Sequence, residues 1–321
     1  MAEQRQSRLV EVEGLTKVFP LASGRYGGGR AEVIAVREVD FALDRGTSLA
    51  IVGESGSGKT TIARMLVGLE VPTSGTIRFA GNDRTIPGKT SSERRRRGRE
   101  IQIVFQDPYG SLDPRQRVVD ALDETVRLHF DLSARDRRRR VSELLEQVGL
   151  GARESASLPR RLSGGQRQRV AIARALATEP SVLVLDEAVS ALDVSIQAQV
   201  LNLLAQIQRA SQIAYIVISH DLAVIRQLTQ SAIVMYRGAV VERGPTEDVL
   251  QAPAHPYTRL LLASVPRPGW APKLQVAADA ADTGCPFRPR CSSAFSPCEM
   301  EPPVFPAADR GVRCWHARPA S

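Results

Sequence analysis

The chain has 321 residues, of which 43% are hydrophobic and 24% charged. This is the composition of a globular protein with room for one large domain and a smaller appendage. The polar start lacks the apolar core of a signal peptide, and no run approaches the roughly 18 apolar residues of a membrane-spanning helix. We therefore expect a cytoplasmic protein that does not cross a membrane.

The formal net charge of +8 makes nucleic acid or an anionic membrane surface a candidate partner. The excess lies mainly in two runs, Arg94–Arg97 and Arg137–Arg140, each with acidic residues nearby. Aromatic residues make up only 5% of the chain, too few for the stacking platform of a single-strand binder. We interpret the runs as solvated helix or loop faces and expect no nucleic-acid partner.

Three regions of the chain differ in residue composition and in hydrophobic pattern. Residues 9–250 alternate β-rich runs with helical patterns, which predicts an α/β fold with a mainly parallel sheet. Within them, residues 107–165 are arginine-rich and helical, which predicts an insertion without a buried strand. Residues 251–321 are rich in proline and contain all four cysteines, so we expect an appended segment. Gly24–Arg30 is predicted to be a loop or hairpin tip.

A glycine-rich loop follows the first short apolar strand, Ser48–Val52, and leads into a helical pattern. It reads G-x-x-x-x-G-K-T, a pattern whose backbone N–H groups surround phosphate oxygens at the start of a helix. Lys59 is expected to neutralise the β- and γ-phosphates, and the Thr60 hydroxyl to bind Mg²⁺. A glycine turn with an incidental lysine is the alternative. The predicted nucleotide-binding residues are Gly53, Glu54, Ser55, Gly56, Ser57, Gly58, Lys59, Thr60 and Thr61.

Two further segments are predicted to carry chemistry. The run Leu162–Gln166 (LSGGQ) opens a helix whose glycine-flanked start leaves backbone N–H groups open to an anion. The apolar strand Val182–Leu185 ends in Asp186 and Glu187, where the carboxyl end of a buried parallel strand meets the ligand crevice. Asp186 would hold Mg²⁺ through water and Glu187 would polarise an attacking water. Taken alone, the pair could also be a solvent-facing strand end.

The phosphate loop, LSGGQ and the Asp-Glu pair, in this order and spacing, resemble the ATP-binding cassette (ABC) ATPases over essentially the whole chain. The resemblance implies an ABC-type P-loop NTPase with a RecA-like core, an antiparallel β subdomain and a helical subdomain. It implies a nucleotide-binding domain at 1–250, with the helical subdomain at about 107–165, and an extension at 251–321. It also implies that ATP and Mg²⁺ bind between two cassettes, so that hydrolysis needs a dimer.

The resemblance assigns further roles. Gln106, after the strand Ile101–Phe105, corresponds to the glutamine that touches Mg²⁺ and the attacking water. His220, after the strand Ala214–Ser219, corresponds to the histidine that contacts the γ-phosphate. Phe19 is a candidate for stacking on adenine, with core packing as the alternative. The signature residues that would reach ATP on the opposite subunit are Ser163, Gly164, Gly165 and Gln166, and those of the D-loop at the dimer interface are Ser190, Ala191, Leu192 and Asp193. Residues 188–189 are Ala-Val where many cassettes have Pro-Thr.

Three stretches, at 105–115, 188–199 and 255–261, look like the ATPases of dipeptide and oligopeptide importers. The first two resemble the second of the two unlike ATPase subunits that such importers often have. This implies two membrane permease subunits, an unlike second ATPase and an extracytoplasmic substrate-binding protein, with the chain peripheral at the cytoplasmic face of the membrane. Nickel, glutathione, sugars or antimicrobial peptides are alternative cargoes, because a cassette does not touch its cargo. An ABC ATPase acting on nucleic acid or ribosomes is the alternative class.

The cysteines, Cys285, Cys291, Cys298 and Cys314, are spaced C-x5-C-x6-C-x15-C. Clustered thiols in a cytosolic protein suggest a metal site rather than disulfides. The spacing matches neither a zinc ribbon nor the common ferredoxin run, so it leaves zinc and iron–sulfur open. The resemblance to peptide-importer ATPases implies a [4Fe–4S] cluster, with Zn²⁺ or free thiols as the alternatives.

Overall fold

The computed structural model describes residues 8–20, 32–264, 283–307 and 310–317. The predicted loop at Gly24–Arg30 lies outside these residues. Within these ranges, no helix is both long enough and apolar enough to cross a bilayer.

An eight-stranded sheet forms the centre of the molecule, in the order β11-β12-β10-β9-β3-β8-β7-β6. Its strands are β3 (Ser48–Val52), β6 (Ile101–Val104), β7 (Val182–Asp186), β8 (Ala214–Ile218), β9 (Ser231–Tyr236), β10 (Ala239–Pro245), β11 (Phe305–Ala307) and β12 (Arg310–Val312). The pairs from β6 to β9 are parallel, and those from β9 to β11 are antiparallel. Every residue of β3, β7 and β8 is buried, because strands covered on both faces must be apolar throughout.

A second, antiparallel sheet has the order β2-β1-β4-β5. Its strands are β1 (Arg8–Pro20), β2 (Glu32–Asp44), β4 (Ser74–Phe79) and β5 (Asn82–Asp83). Leu15, Val39 and Ile77 of this sheet are fully buried in the same apolar cluster as Ile51 of β3 and Leu66 of the following helix. This shared core is why the antiparallel sheet packs beside the phosphate-loop helix.

Helices surround the two sheets. They are α1 (Lys59–Leu66), α2 (Ser91–Glu100), α3 (Pro108–Ser111), α4 (Val118–His129), α5 (Ala134–Gln147), α6 (Ala152–Ser155), α7 (Gly164–Leu176), α8 (Val194–Ser211), α9 (Leu222–Leu228), α10 (Thr246–Gln251) and α11 (Pro256–Ala263). Residues 107–165 contain α3 to α6 and no strand. Leu122 and Val126 of α4 and Val141 and Leu144 of α5 are buried in one cluster with the apolar face of α7, which fixes this helical subdomain to the signature helix.

The two arginine runs lie on α2 and α5 and form ion pairs. Arg97 pairs with Glu93 at 2.7 Å, and Arg137 pairs with Asp123 at 2.9 Å. No residue of α2 is buried. Such partly exposed pairs contribute little to stability, and the runs lie on solvated helix faces.

The end of the appended segment joins the central sheet, since β12 pairs with β10 and β11 closes a hairpin on β12. A buried carboxylate, Glu242 of β10, accepts hydrogen bonds from the N–H groups of Ala254 and His255 and pairs with Arg310 of β12 at 2.5 Å. The segment is therefore tied to the cassette by backbone pairing and by one buried ion pair.

Candidate nucleotide site

The carboxyl ends of the parallel strands meet at one edge of the central sheet. The phosphate loop occupies the turn from β3 to α1 there, and its backbone requires glycine. Gly58 has a φ of +101°, and an added Cβ would lie 2.2 Å from the carbonyl oxygen of Ala35. Neither the conformation nor the contact admits a side chain at this position.

A cavity of ≈ 950 Å³ opens at this edge, large enough for a nucleoside triphosphate. The predicted residues that line it are Gly53, Glu54, Ser55, Gly56, Gly58, Lys59, Thr60, Thr61, Gln106, Asp186, Glu187 and His220. Ser57 lies beneath them, 4% exposed, and accepts a hydrogen bond from Lys59. Residues 126 positions apart are thus brought to one site.

The ammonium group of Lys59 is held inside the loop. Nζ donates to the carbonyl oxygens of Gly53 at 2.9 Å and Glu54 at 2.7 Å. Burial lowers the pKa of Lys59, while the carboxylates of Glu187, Asp186 and Glu54 act in the opposite direction. A phosphate group arriving in the cavity would add negative charge beside this buried cation and favour its charged form.

Thr60 and Asp186 meet at the base of the cavity, where Thr60 Oγ1 donates to Asp186 Oδ1 at 3.2 Å. Burial raises the pKa of Asp186, and the hydrogen bond from Thr60 partly offsets this. A hydroxyl and a carboxylate at this distance are the hard oxygen ligands that Mg²⁺ takes beside phosphates. The residues therefore fit Mg²⁺, which would satisfy the charge of Asp186.

Glu187 and His220 face each other across the cavity, with His220 Nδ1 3.5 Å from Glu187 Oε1. Glu187 adopts the left-handed conformation with φ of +50°, a strained position for a residue with a side chain. Its N–H donates to Ile218 at 2.9 Å, and its carbonyl accepts from the Ser190 hydroxyl at 2.9 Å. These bonds fix the backbone of Glu187, whose carboxylate would then be available to polarise a water at a bound phosphate.

The signature residues do not line this cavity. Ser163 caps α7 in a reciprocal pair with Gln166, in which each side chain accepts from the other residue's N–H. An added Cβ at Gly165 would lie 2.3 Å from Ile196 Cγ2, so this glycine allows α7 to begin against the start of α8. The D-loop ends at Asp193, whose carboxylate caps α8 by accepting from Ile196 at 3.0 Å. The two motifs are thus packed together, away from this chain's own phosphate loop.

Phe19 lies in β1 and its ring centroid is 4.8 Å from Lys17 Nζ. It is not among the residues that line the described cavity. Its assignment to adenine stacking stays a prediction.

Two residues of the appended segment reach the phosphate loop, and the sequence did not indicate this contact. Tyr257 of α11 accepts a hydrogen bond from the N–H of Glu54 at 2.9 Å. Arg290 forms two hydrogen bonds with the Glu54 carboxylate, at 2.9 and 3.0 Å. The only sequence signal was the His-Pro-Tyr-Thr stretch at 255–258, which by itself indicates the start of a helix.

Sequence comparison identifies the family. The chain is 43% identical to the "Di/tripeptide transport ATP-binding protein DppF" of Pseudomonas aeruginosa over 312 residues, which cover 94% of this chain and 96% of that protein. It is 40% identical to the "Dipeptide transport ATP-binding protein DppF" of Haemophilus influenzae over 96% of both chains. The chain belongs to the ABC transporter ATPases. Residues 36–190 of this ABC ATPase match the ABC transporter family, and residues 241–298 match the oligopeptide/dipeptide transporter C-terminal region.

Two further comparisons place this ABC ATPase among known cassettes. The "Glutathione import ATP-binding protein GsiA" of Escherichia coli is 49% identical over 260 residues, which cover 80% of this chain and 41% of that protein. A solved structure, "Dimeric Structure of MJ0796, a Bacterial ABC Transporter Cassette", superposes with a TM-score of 0.65 at 27% identity, over 74% of this chain and 99% of the other. The predicted ABC fold and ATPase activity are confirmed by these relationships.

The four cysteines of the ABC ATPase line one small cavity between α11 and the segment that follows it. Burial raises the pKa of Cys285, Cys291 and Cys314, and the neighbouring thiols act in the same direction. Within the described ranges, no group of three or more His, Cys, Asp or Glu side chains is arranged to hold a metal ion. The thiols are therefore gathered at one place without being arranged as a metal site, and the predicted [4Fe–4S] cluster and its zinc alternative stay predictions.

Proposed function

We propose that this ABC ATPase is the energy-coupling subunit of an importer for di- and oligopeptides. The proposal depends on one cavity, which is lined by the phosphate loop and by Gln106, Asp186, Glu187 and His220. Residues 241–298 of the same chain match the oligopeptide/dipeptide transporter C-terminal region. The cavity supports ATP hydrolysis, and the C-terminal match supports the class of importer.

Each residue of the cavity has a role in the proposed reaction. Lys59 and the loop N–H groups neutralise and orient the β- and γ-phosphates. Thr60 and Asp186 would hold Mg²⁺, which would offset charge on the phosphates, and Gln106 lines the same cavity. Glu187 accepts a proton from the attacking water, and His220 donates a hydrogen bond to the γ-phosphate.

Hydrolysis in this proposal needs a second cassette. The start of α7, where two glycines follow Ser163, lies outside this chain's own cavity. Because a helix start attracts phosphate, it would close over ATP held by a partner. The resemblance of residues 105–115 and 188–199 to the second of two unlike ATPase subunits favours an unlike ATPase as that partner. The cassette pair would dock through the helical subdomain on two permease subunits at the cytoplasmic face of the membrane, with a substrate-binding protein on the other side.

Glutathione is the second candidate cargo, because the glutathione-import relative is 49% identical over 260 residues. The permease and binding-protein genes that neighbour this one would supply the components for a test. Proteoliposomes with the complete importer should take up a labelled dipeptide when ATP is supplied on the cassette side. Uptake of glutathione without dipeptide would select the alternative cargo, and the absence of ATP-driven uptake of any solute would contradict transport.

We also propose that the four cysteines hold a metal centre. Four thiols that line one cavity match the donor set of an iron–sulfur or zinc site, and a metal would bind them as thiolates. The side chains must then move together on binding. Protein purified without oxygen should be brown, with iron and sulfide in stoichiometry. Colourless protein with zinc would select the alternative, and metal-free protein would contradict the proposal.

A further inference from the structure

Glu54, the second residue of the phosphate loop, is held at three points. Its carbonyl oxygen accepts from Lys59, its N–H donates to Tyr257 and its carboxylate pairs with Arg290. The first contact is within the loop, but the other two come from the appended segment. The second residue of the loop pattern can be of any type, so the pattern itself does not require a carboxylate at this position.

The carboxylate of Glu54 presents an electrostatic problem, because Glu54 lines a cavity built to receive a triphosphate. An unpaired carboxylate beside phosphate oxygens is a like-charge contact, which weakens the binding of the anion. Arg290 offsets this charge with a two-point pair at 2.9 and 3.0 Å, and such a charge-assisted pair is stronger than a single neutral hydrogen bond.

The position of Arg290 is set by aromatic packing. Its guanidinium lies 5.8 Å from the ring centroids of both Tyr236 and Phe287. Tyr236 ends β9, Phe287 belongs to the appended segment, and Tyr257 packs on Tyr236 at 4.6 Å. These three rings pack β9, α11 and the turn before Arg290 together. This packing fixes the position from which Arg290 contacts the loop.

We propose that Arg290 is a positioning residue of the nucleotide site, which neutralises Glu54 and, with Tyr257, holds the phosphate loop ready for a triphosphate. The inference rests on ATP binding by this chain, and it assigns the appended segment a part in that binding. Arg290 immediately precedes Cys291, so the segment that carries the thiols also carries this contact.

The test compares the affinity of four purified chains for a fluorescent ATP analogue with Mg²⁺: wild type, Arg290→Gln, Glu54→Gln and the double variant. Arg290→Gln should raise the Kd by about three- to tenfold, since it leaves Glu54 charged and unpaired. The double variant should recover most of the affinity that Arg290→Gln loses, because it removes the carboxylate together with its partner. The defect of Arg290→Gln should also shrink as salt is raised, because salt screens the repulsion at this partly exposed carboxylate.

Arg288→Gln is the matched control. Arg288 lies on the same short helical turn, but it pairs with Glu299 at 3.7 Å within the segment rather than with the loop. This variant should bind the analogue as wild type does. Arg290→Lys, which keeps the charge but not the two-point geometry, should recover part of the lost affinity.

The outcomes separate this inference from the proposed function. Wild-type affinity in Arg290→Gln would overturn the inference. So would a weakened Arg290→Gln that the Glu54→Gln change does not rescue, because that pattern indicates a general structural defect. A wild-type chain that does not bind the analogue would instead overturn the ATPase assignment itself.

A reciprocal measurement covers the case in which Arg290→Gln folds poorly. If the segment stabilises the loop, binding at the loop must stabilise the segment by the same free energy. Mg·ATP should therefore slow hydrogen exchange in peptides from residues 283–307 of wild type and of Arg290→Lys. No change in the wild-type segment at saturating nucleotide would overturn the inference.

Discussion

Thr60 Oγ1 donates a hydrogen bond to Asp186 Oδ1 at 3.2 Å, joining the start of α1 to the end of β7. The two side chains occupy the place where a divalent ion bound to the phosphates would sit. Burial raises the pKa of Asp186, so a divalent cation beside this carboxylate would favour its charged form.

Asp186→Asn should abolish magnesium-dependent hydrolysis while the fold stays intact. The amide keeps the shape of the side chain but not its charge, and metal-based charge stabilisation contributes several kcal/mol, so we expect a loss on the order of a hundredfold or more in kcat. Phosphate release at increasing Mg²⁺ concentration measures the effect. Activity that higher Mg²⁺ restores to the wild-type level would show that Asp186 contributes affinity alone.

The same substitution should stabilise the nucleotide-free chain at neutral pH. Burial raises the pKa of Asp186 above its ordinary value of 3.8, so the folded chain retains this proton over a pH range in which the unfolded chain has lost it. The ionised group therefore opposes folding above that range, and the penalty disappears as the pH falls below 3.8. Thermal melting without nucleotide should give a higher Tm for Asp186→Asn at pH 7 and equal values in acid. A lower Tm for the variant at pH 7 would contradict this environment for Asp186.

Gly58→Ala should lose nucleotide binding and destabilise the fold, because its Cβ would lie 2.2 Å from the backbone oxygen of Ala35, which cannot rotate away. Gly68→Ala is the control, since Gly68 has a comparable φ of +77° with open space around the added Cβ. The control should lower the free energy of unfolding by about 1–2 kcal/mol through backbone strain alone. Urea unfolding and nucleotide titration of both variants distinguish the clash from the strain.

Arg310→Gln should destabilise the chain far more than a surface arginine would. It leaves Glu242, which is 0% exposed, as a buried carboxylate without its cation, and such a loss costs about 3–5 kcal/mol. Arg313→Gln is the control, because Arg313 pairs at 2.9 Å with a carboxylate that is 43% exposed, a type of pair worth about 1 kcal/mol or less. Equal unfolding free energies for the two variants would show that the Glu242 pair does not anchor the segment.

The catalytic cavity could be predicted from sequence because its parts are local patterns at strand ends. The apolar runs that precede Gly53, Gln106, Asp186 and His220 all become parallel strands, so their following residues meet at one edge. The contacts of Arg290 and Tyr257 with Glu54 could not be predicted in this way. They span 236 and 203 residues and depend on how the appended segment folds back, which no local periodicity encodes.

For the cysteines, the sequence indicated the common location but not the geometry of the side chains. The clustering of all four cysteines between residues 285 and 314 suggested a common site, and all four line one cavity. The distances among their sulfur atoms depend on side-chain rotation and on whether a metal is bound. The spacing of the cysteines in the sequence predicts neither.

ATP hydrolysis by the wild-type chain and by Glu187→Gln, each with Mg²⁺ and its partner cassette, tests the central claim most directly. The account predicts that the wild type hydrolyses ATP, whereas Glu187→Gln binds it, loses about two to four orders of magnitude in turnover and accumulates as a closed dimer in size-exclusion chromatography. Hydrolysis by Glu187→Gln at the wild-type rate would contradict the assignment of the general base. A wild-type chain that neither retains nor hydrolyses Mg·ATP would contradict the account as a whole.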